Sequence, residues 1–144
     1  MNVQLVQFAL SEYGERALPG QPDNPHILQM AKDCGFADYI HTSTAWCSLF
    51  MNYVALKTGY QRSNALNARS WLSVGNIITE PELGDVVVYW RDDPNGLLGH
   101  VGLYIGARNG LIYTLGGNEG NMVQIEGFDP GKVLGYRRLV STGL

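Results

Sequence analysis

Cysteine, histidine and charge are all scarce in this chain of 144 residues, and each scarcity excludes something. Two cysteines, Cys34 and Cys47, are too few for a disulfide scaffold. Three histidines, His26, His41 and His100, stand singly with no zinc-ligand spacing, so neither a metal nor a cofactor is expected. No apolar run reaches membrane-spanning length, and Met1-Asn2-Val3-Gln4 lacks the charged and apolar regions of a signal peptide. A product made in the cytoplasm, without membrane insertion, is expected. Charged residues make up 16% of the chain with a net charge of −3, and no basic tract or aromatic-plus-Lys/Arg cluster marks a nucleic-acid surface. Internal repeats, low-complexity tracts and linkers are also missing. What is present is 45% hydrophobic content, enough for one core, so residues 1–144 are expected to form a single, monomeric domain.

The first half of that domain reads as helix. Apolar residues from Val3 to Tyr13 trace a helical stripe ended by Gly14. Asp23 or Asn24 caps a second helix with Pro25 at its first position, running to about Asp33. The stretch from Thr42 to Gly59 is expected as a third, nearly all-apolar helix with Ser43 and Thr44 as capping residues and a cysteine in its first turn. Ser63 or Asn64 then caps a short fourth helix that carries Trp71 and closes at Gly75.

The period changes after Gly84. Five strands are expected, over Asp85–Trp90, His100–Ala107, Leu111–Asn118, Met122–Glu126 and Val133–Arg138. Helices first and an antiparallel sheet second make an α+β domain.

A thiol in the first turn of a helix feels the unpaired N–H groups and the positive end of the dipole, which favour thiolate. Cys47 is therefore a candidate nucleophile, against the plainer reading of a small buried hydrophobe. His100, at a strand start, is the candidate base. Its partner depends on the hairpin around Asn109-Gly110: a two-residue loop sets His100 opposite Glu119, a three-residue loop opposite Asn118. The second register groups Val101, Leu103 and Ile105 with Leu111, Tyr113 and Leu115, so Asn118 is expected to orient the imidazole. Glu119, Glu126 and Asp85 are fallback orienters. Gly102, Gly106 and Gly116 are expected to let the cysteine helix approach the sheet.

Four stretches carry a family resemblance: Thr44-Ala45-Trp46-Cys47-Ser48-Leu49-Phe50, Gly84-Asp85-Val86-Val87-Val88, Gly99-His100-Val101-Gly102-Leu103-Tyr104-Ile105-Gly106 and Leu115-Gly116-Gly117-Asn118. In this order they resemble the papain-like cell-wall hydrolases, comprising CHAP amidase/peptidases and NlpC-like peptidases, and within them a small single-domain amidase subgroup of phage lysis proteins and bacterial effectors. The resemblance implies a papain-like fold in which Cys47 attacks an amide of peptidoglycan peptides, with His100 as base and acid and Asn118 as orienter. It also implies an oxyanion hole at the helix start, for which His41, Thr42 and Ser43 offer side chains without singling one out. Trp46, Tyr104, Trp71 and the loop from Arg91 to Leu98 are expected to wall the substrate groove. The expected partner is peptidoglycan in the periplasm or cell wall, together with delivery machinery or an immunity protein. Two other readings are a non-catalytic wall-binding module that keeps the fold and a thiol switch between Cys34 and Cys47.

Overall fold

A computed structural model describes residues 1–143. Helix α1 spans Val3–Ser11, α2 Pro25–Cys34 and α3 Cys47–Thr58. Asn24, not Asp23, caps α2, its side-chain oxygen accepting from the His26 and Ile27 amides at 2.8 and 3.2 Å with Pro25 at the first position. Helix α3 begins later than expected. Trp46 occupies its cap position without a side-chain cap bond, while Ser43 and Thr44 lie in the preceding loop. There the Thr44 amide bonds to the His41 carbonyl at 3.1 Å and Tyr39 Oη donates to the Thr44 carbonyl at 2.8 Å. Every residue of α3 from Cys47 to Ala55 is buried, and Gly59 ends it in a left-handed conformation at φ 77°.

The expected fourth helix is a single 3-10 segment, Ala68–Ser73. The cause is Asn52, fully buried on α3. Its side chain accepts from the Asn64 amide at 2.9 Å and donates to the Ala65 carbonyl at 3.1 Å, holding the chain in a non-helical loop where a helix would start. Asn64 itself has φ 56°.

Six strands follow, β1 Asn76–Ile78, β2 Val86–Trp90, β3 Gly99–Arg108, β4 Leu111–Glu119, β5 Met122–Phe128 and β6 Val133–Arg138, with a 3-10 turn at Pro130–Lys132. They form one sheet in the order β1-β6-β2-β3-β4-β5, every neighbouring pair antiparallel. The strand beyond the expected five is β1, whose three residues are too few to show a period in sequence. Helices α1 and α3 cover one face through Val86, Val88, Val101, Leu103 and Leu115. Side chains such as Leu49, Phe50 and Met51, wholly removed from water, each contribute roughly 1.5–3 kcal/mol there. On the other face Val87, Tyr89 and Ile112 pack with Tyr104, Phe128 and Tyr136.

Both hairpin registers are present. Asn109 and Gly110, at φ 54° and 79°, make a two-residue turn that pairs Arg108 with Leu111. One residue is then bulged out near Ile105, so that Tyr104 pairs with Thr114 and Leu103 with Leu115. The bulge brings the apolar faces together as the three-residue register would. Beyond Leu103 and Leu115 the β3–β4 pairing stops, and a second irregularity between Gly116 and Glu119 interrupts β4 against β5.

Helix α3 therefore packs on the face opposite to Gly102 and Gly116, while Gly106, carried past the bulge to pair with Tyr113, has nothing within 4 Å of where a Cβ would stand. The helix's close approach is at Gly117, where a Cβ would stand 2.5 Å from Cβ of Phe50 and 2.9 Å from Cε3 of Trp46.

Candidate active site

The gap left where β3 and β4 part is where the thiol sits. Along β3 the Tyr104 amide bonds back to Asp85 before β2, so the Val101 amide, three residues earlier, points the other way, toward β4. With no β4 partner there, it reaches the sulfur of Cys47, the first residue of α3, and the Ser48 amide reaches it as well. Burial pushes this thiol up. The hydrogen bond and charge of His100 and these two amides together outweigh it, leaving Cys47 below its ordinary pKa.

His100 is held from its far side. Its Nε2 lies 2.9 Å from Oε1 of Glu119, which leaves Nδ1 for the sulfur. The ring stacks on Phe128 at 5.2 Å between centroids and on Tyr89, its cross-strand neighbour, at 6.4 Å. Glu119 is 2% exposed, and Thr114 donates to the same Oε1 at 3.0 Å. Its Oε2 has no hydrogen-bond partner among the described residues. Burial pushes this carboxyl up to about 9, with a push from Glu126 and only partial relief from Thr114. A lone buried oxygen without a donor suits O–H better than a bare charge.

NlpC1 from Trichomonas vaginalis is similar in structure: the superposition covers 95% of this chain with a TM-score of 0.54 and 18% identical residues. The fold is NlpC-like. This chain spans 44% of that one. No protein-family model and no curated protein sequence matches it. Of the two groups that the sequence resembles together, CHAP and NlpC-like, the solved neighbour bears the NlpC name.

Within this NlpC-like frame the sequence-derived site residues separate. Cys47 and His100 come together. Asn118 does not reach the imidazole: at φ 57° it sits in the β4 irregularity and lines a cavity with Ser43 and Ala45, and Glu119 takes the place expected of it. The carboxyl of Glu119 lies over Gly102 and Gly116, where added Cβ atoms would come within 3.2 and 2.8 Å of Oε1. Those glycines make room for an acid, not for a helix. Asp85 is buried beneath a two-pronged pair with Arg138 at 2.9 and 2.8 Å, and Glu126 accepts from Gln124 at 3.0 Å. Neither orients the ring.

Two of the expected groove walls are corrected too. Trp46 and Trp71 are core residues, 1% and 0% exposed, and Trp71 Nε1 donates to Ser48 Oγ at 2.9 Å. Large aromatic rings next to a buried helix fill its surroundings before they can line a cleft. Tyr104 lies on the same face of the sheet as His100 and packs edge-on against Tyr136. The 91–98 loop is strapped by Arg69, which donates to the carbonyls of Asp93, Pro94 and Leu98 at 2.7 to 3.0 Å. Thr114 escaped notice in the sequence, since a strand threonine carries no signal of its own.

Of the three loop side chains offered for an oxyanion hole, two are engaged. Asp23 pairs with His41 at 3.1 Å and accepts from the Thr42 amide at 2.8 Å and the Thr42 hydroxyl at 3.2 Å, which hold its carboxyl below the usual range. Ser43 remains, with the Cys47 amide at the helix start. Away from the thiol, Glu12, Glu15 and His26 bring three ligand atoms within 4.8 Å of one another. The His26–Glu12 pair at 2.7 Å and the Asn24–Glu15 bond at 3.0 Å satisfy them without an ion. Both cysteines are free thiols, and burial pushes Cys34 up to about 11, opposite in direction to Cys47. Among the described residues no helix is long and apolar enough to cross a membrane.

Proposed function

We propose that the chain is a cysteine amidohydrolase that cuts an amide bond of peptidoglycan peptides, in phage lysis or as an antibacterial effector. The observation that carries this reading is the thiol at the first residue of α3, lowered by an imidazole whose other nitrogen rests on a buried carboxyl. The likeness in fold to an NlpC-named protein and the motif resemblance to wall hydrolases supply the substrate class.

In this reaction the Cys47 thiolate attacks the scissile carbonyl, and the Cys47 amide meets the developing oxyanion. His100, as imidazolium, gives its Nδ1 proton to the departing amine, which leaves a thioester on Cys47. A water entering from the amine's side loses a proton to the now neutral imidazole and releases the acid. Glu119 keeps Nε2–H engaged throughout, so that Nδ1 alone exchanges protons with thiol and substrate. Mass analysis of fragments released from purified peptidoglycan is the test. The wild type is expected to release products that name the bond cut, and Cys47→Ala to release none. Equal release by both would require another chemistry.

A further inference from the structure

Two cavities open beside the nucleophile loop, and Leu18 belongs to both. The nearer, of about 210 Å³, lies between Ser43 and Ala45 of the loop leading to Cys47 and the left-handed residues Asn118 and Asn121. The farther, of about 360 Å³, is lined by Arg16, Gln21 and Asp23. They adjoin at Leu18, one beside the loop that leads to Cys47 and the other beside Arg16.

Arg16 is fixed at its backbone and free at its head. The Asn24 side chain donates to its carbonyl at 2.8 Å, it bridges to Met122, and the next amide, of Ala17, bonds to the Asn121 carbonyl at 2.9 Å. Its guanidinium makes no ion pair or hydrogen bond among the described residues. The acids around it are already engaged: Glu15 accepts from Asn24, and Asp23 is held by His41 and the Thr42 amide. A cation left over in a cavity whose anions are all satisfied is suited to an incoming anion, and a planar fork of N–H donors matches a carboxylate.

The geometry points to a substrate subsite in which Asn118, Asn121 and Ser43 hold the backbone of a peptide bound at Cys47 and Arg16 receives its free terminal carboxylate. This rests on the reading of the site as a peptide-cleaving one, and it gives Asn118 a role on the substrate in place of the imidazole. The ligand class is a short peptide with a free carboxyl end, as on an uncrosslinked peptidoglycan stem.

The test measures binding without turnover. A stem tetrapeptide with a free C-terminal carboxylate and the same peptide as its C-terminal amide are titrated calorimetrically into Cys47→Ala and into Cys47→Ala/Arg16→Gln. The amide is expected to bind Cys47→Ala at least tenfold more weakly than the acid. Arg16→Gln should bring the acid down to the amide's affinity and leave the amide unchanged. Equal affinity for the two peptides, equal weakening of both by Arg16→Gln, or binding of neither overturns the subsite. Arg16-dependent binding in a protein whose wild type releases nothing from purified peptidoglycan keeps the subsite and removes the reaction. Wall cleavage without such binding does the reverse.

Discussion

Glu119 holds on to a proton that an exposed carboxyl would release. Its ordinary value is 4.5 and burial raises it to about 9. Between those values the folded chain keeps the proton and the unfolded chain loses it. The stability this gives is complete below pH 4.5 and drains away as the pH climbs to about 9, by at most ~1.4 kcal/mol per unit. Urea unfolding at pH 5, 7 and 9 is therefore expected to show a decline in the wild type that Glu119→Gln, neutral throughout, flattens. On activity, Cys47→Ala and His100→Ala are each expected to cost at least ~10³-fold in fragment release, and Glu119→Ala ~10–100-fold through a mispositioned ring. Cys47 and His100 were legible in sequence because a helix start and a Gly-His strand start are local features. The choice of Glu119 over Asn118 was not, because it turns on one irregularity between Gly116 and Glu119 that reverses which side chain faces the sheet.

Among the elements, α3 and β4 meet with the least tolerance. A methyl group at Gly117 would meet Cβ of Phe50, which cannot swing aside, at 2.5 Å. Gly117→Ala is expected to destabilise the fold by ~1–3 kcal/mol in chemical denaturation and to slow fragment release by moving Cys47 from Val101. Gly116→Ala meets the flexible end of Glu119 instead, at 2.8 Å. With the Val101 carbonyl also 3.2 Å away, it should cost less stability than Gly117→Ala but lose activity, and so separate the carboxyl's placement from helix packing. The extent of α3 was readable from its run of apolar residues, apart from its start. The 3-10 segment and the hairpin bulge were not. The first depends on Asn52 reaching a loop 12 residues on, and the second reconciles a turn preference with an apolar match that disagree by one residue.

Across the whole molecule, the order of helices before sheet followed from the change of period at Gly84, while the six-strand order depends on pairings remote in sequence. One such closure is Asp85 with Arg138, 53 residues apart, which fastens β6 beside β2. Arg138→Leu leaves a fully buried carboxyl without its partner, and a loss of about 2–3 kcal/mol in denaturation is expected, below the fully buried range because Arg138 is partly exposed.

The proposed reaction needs sulfur and imidazole to share a proton at the mouth of the β3–β4 gap. The pH dependence of alkylation of Cys47 by iodoacetamide, in a Cys34→Ser background, measures it directly. The thiol is expected to titrate below the ordinary cysteine range of about 8.5 and to move upward in His100→Ala. A thiol that titrates at or above that range, and is indifferent to the loss of His100, would contradict it.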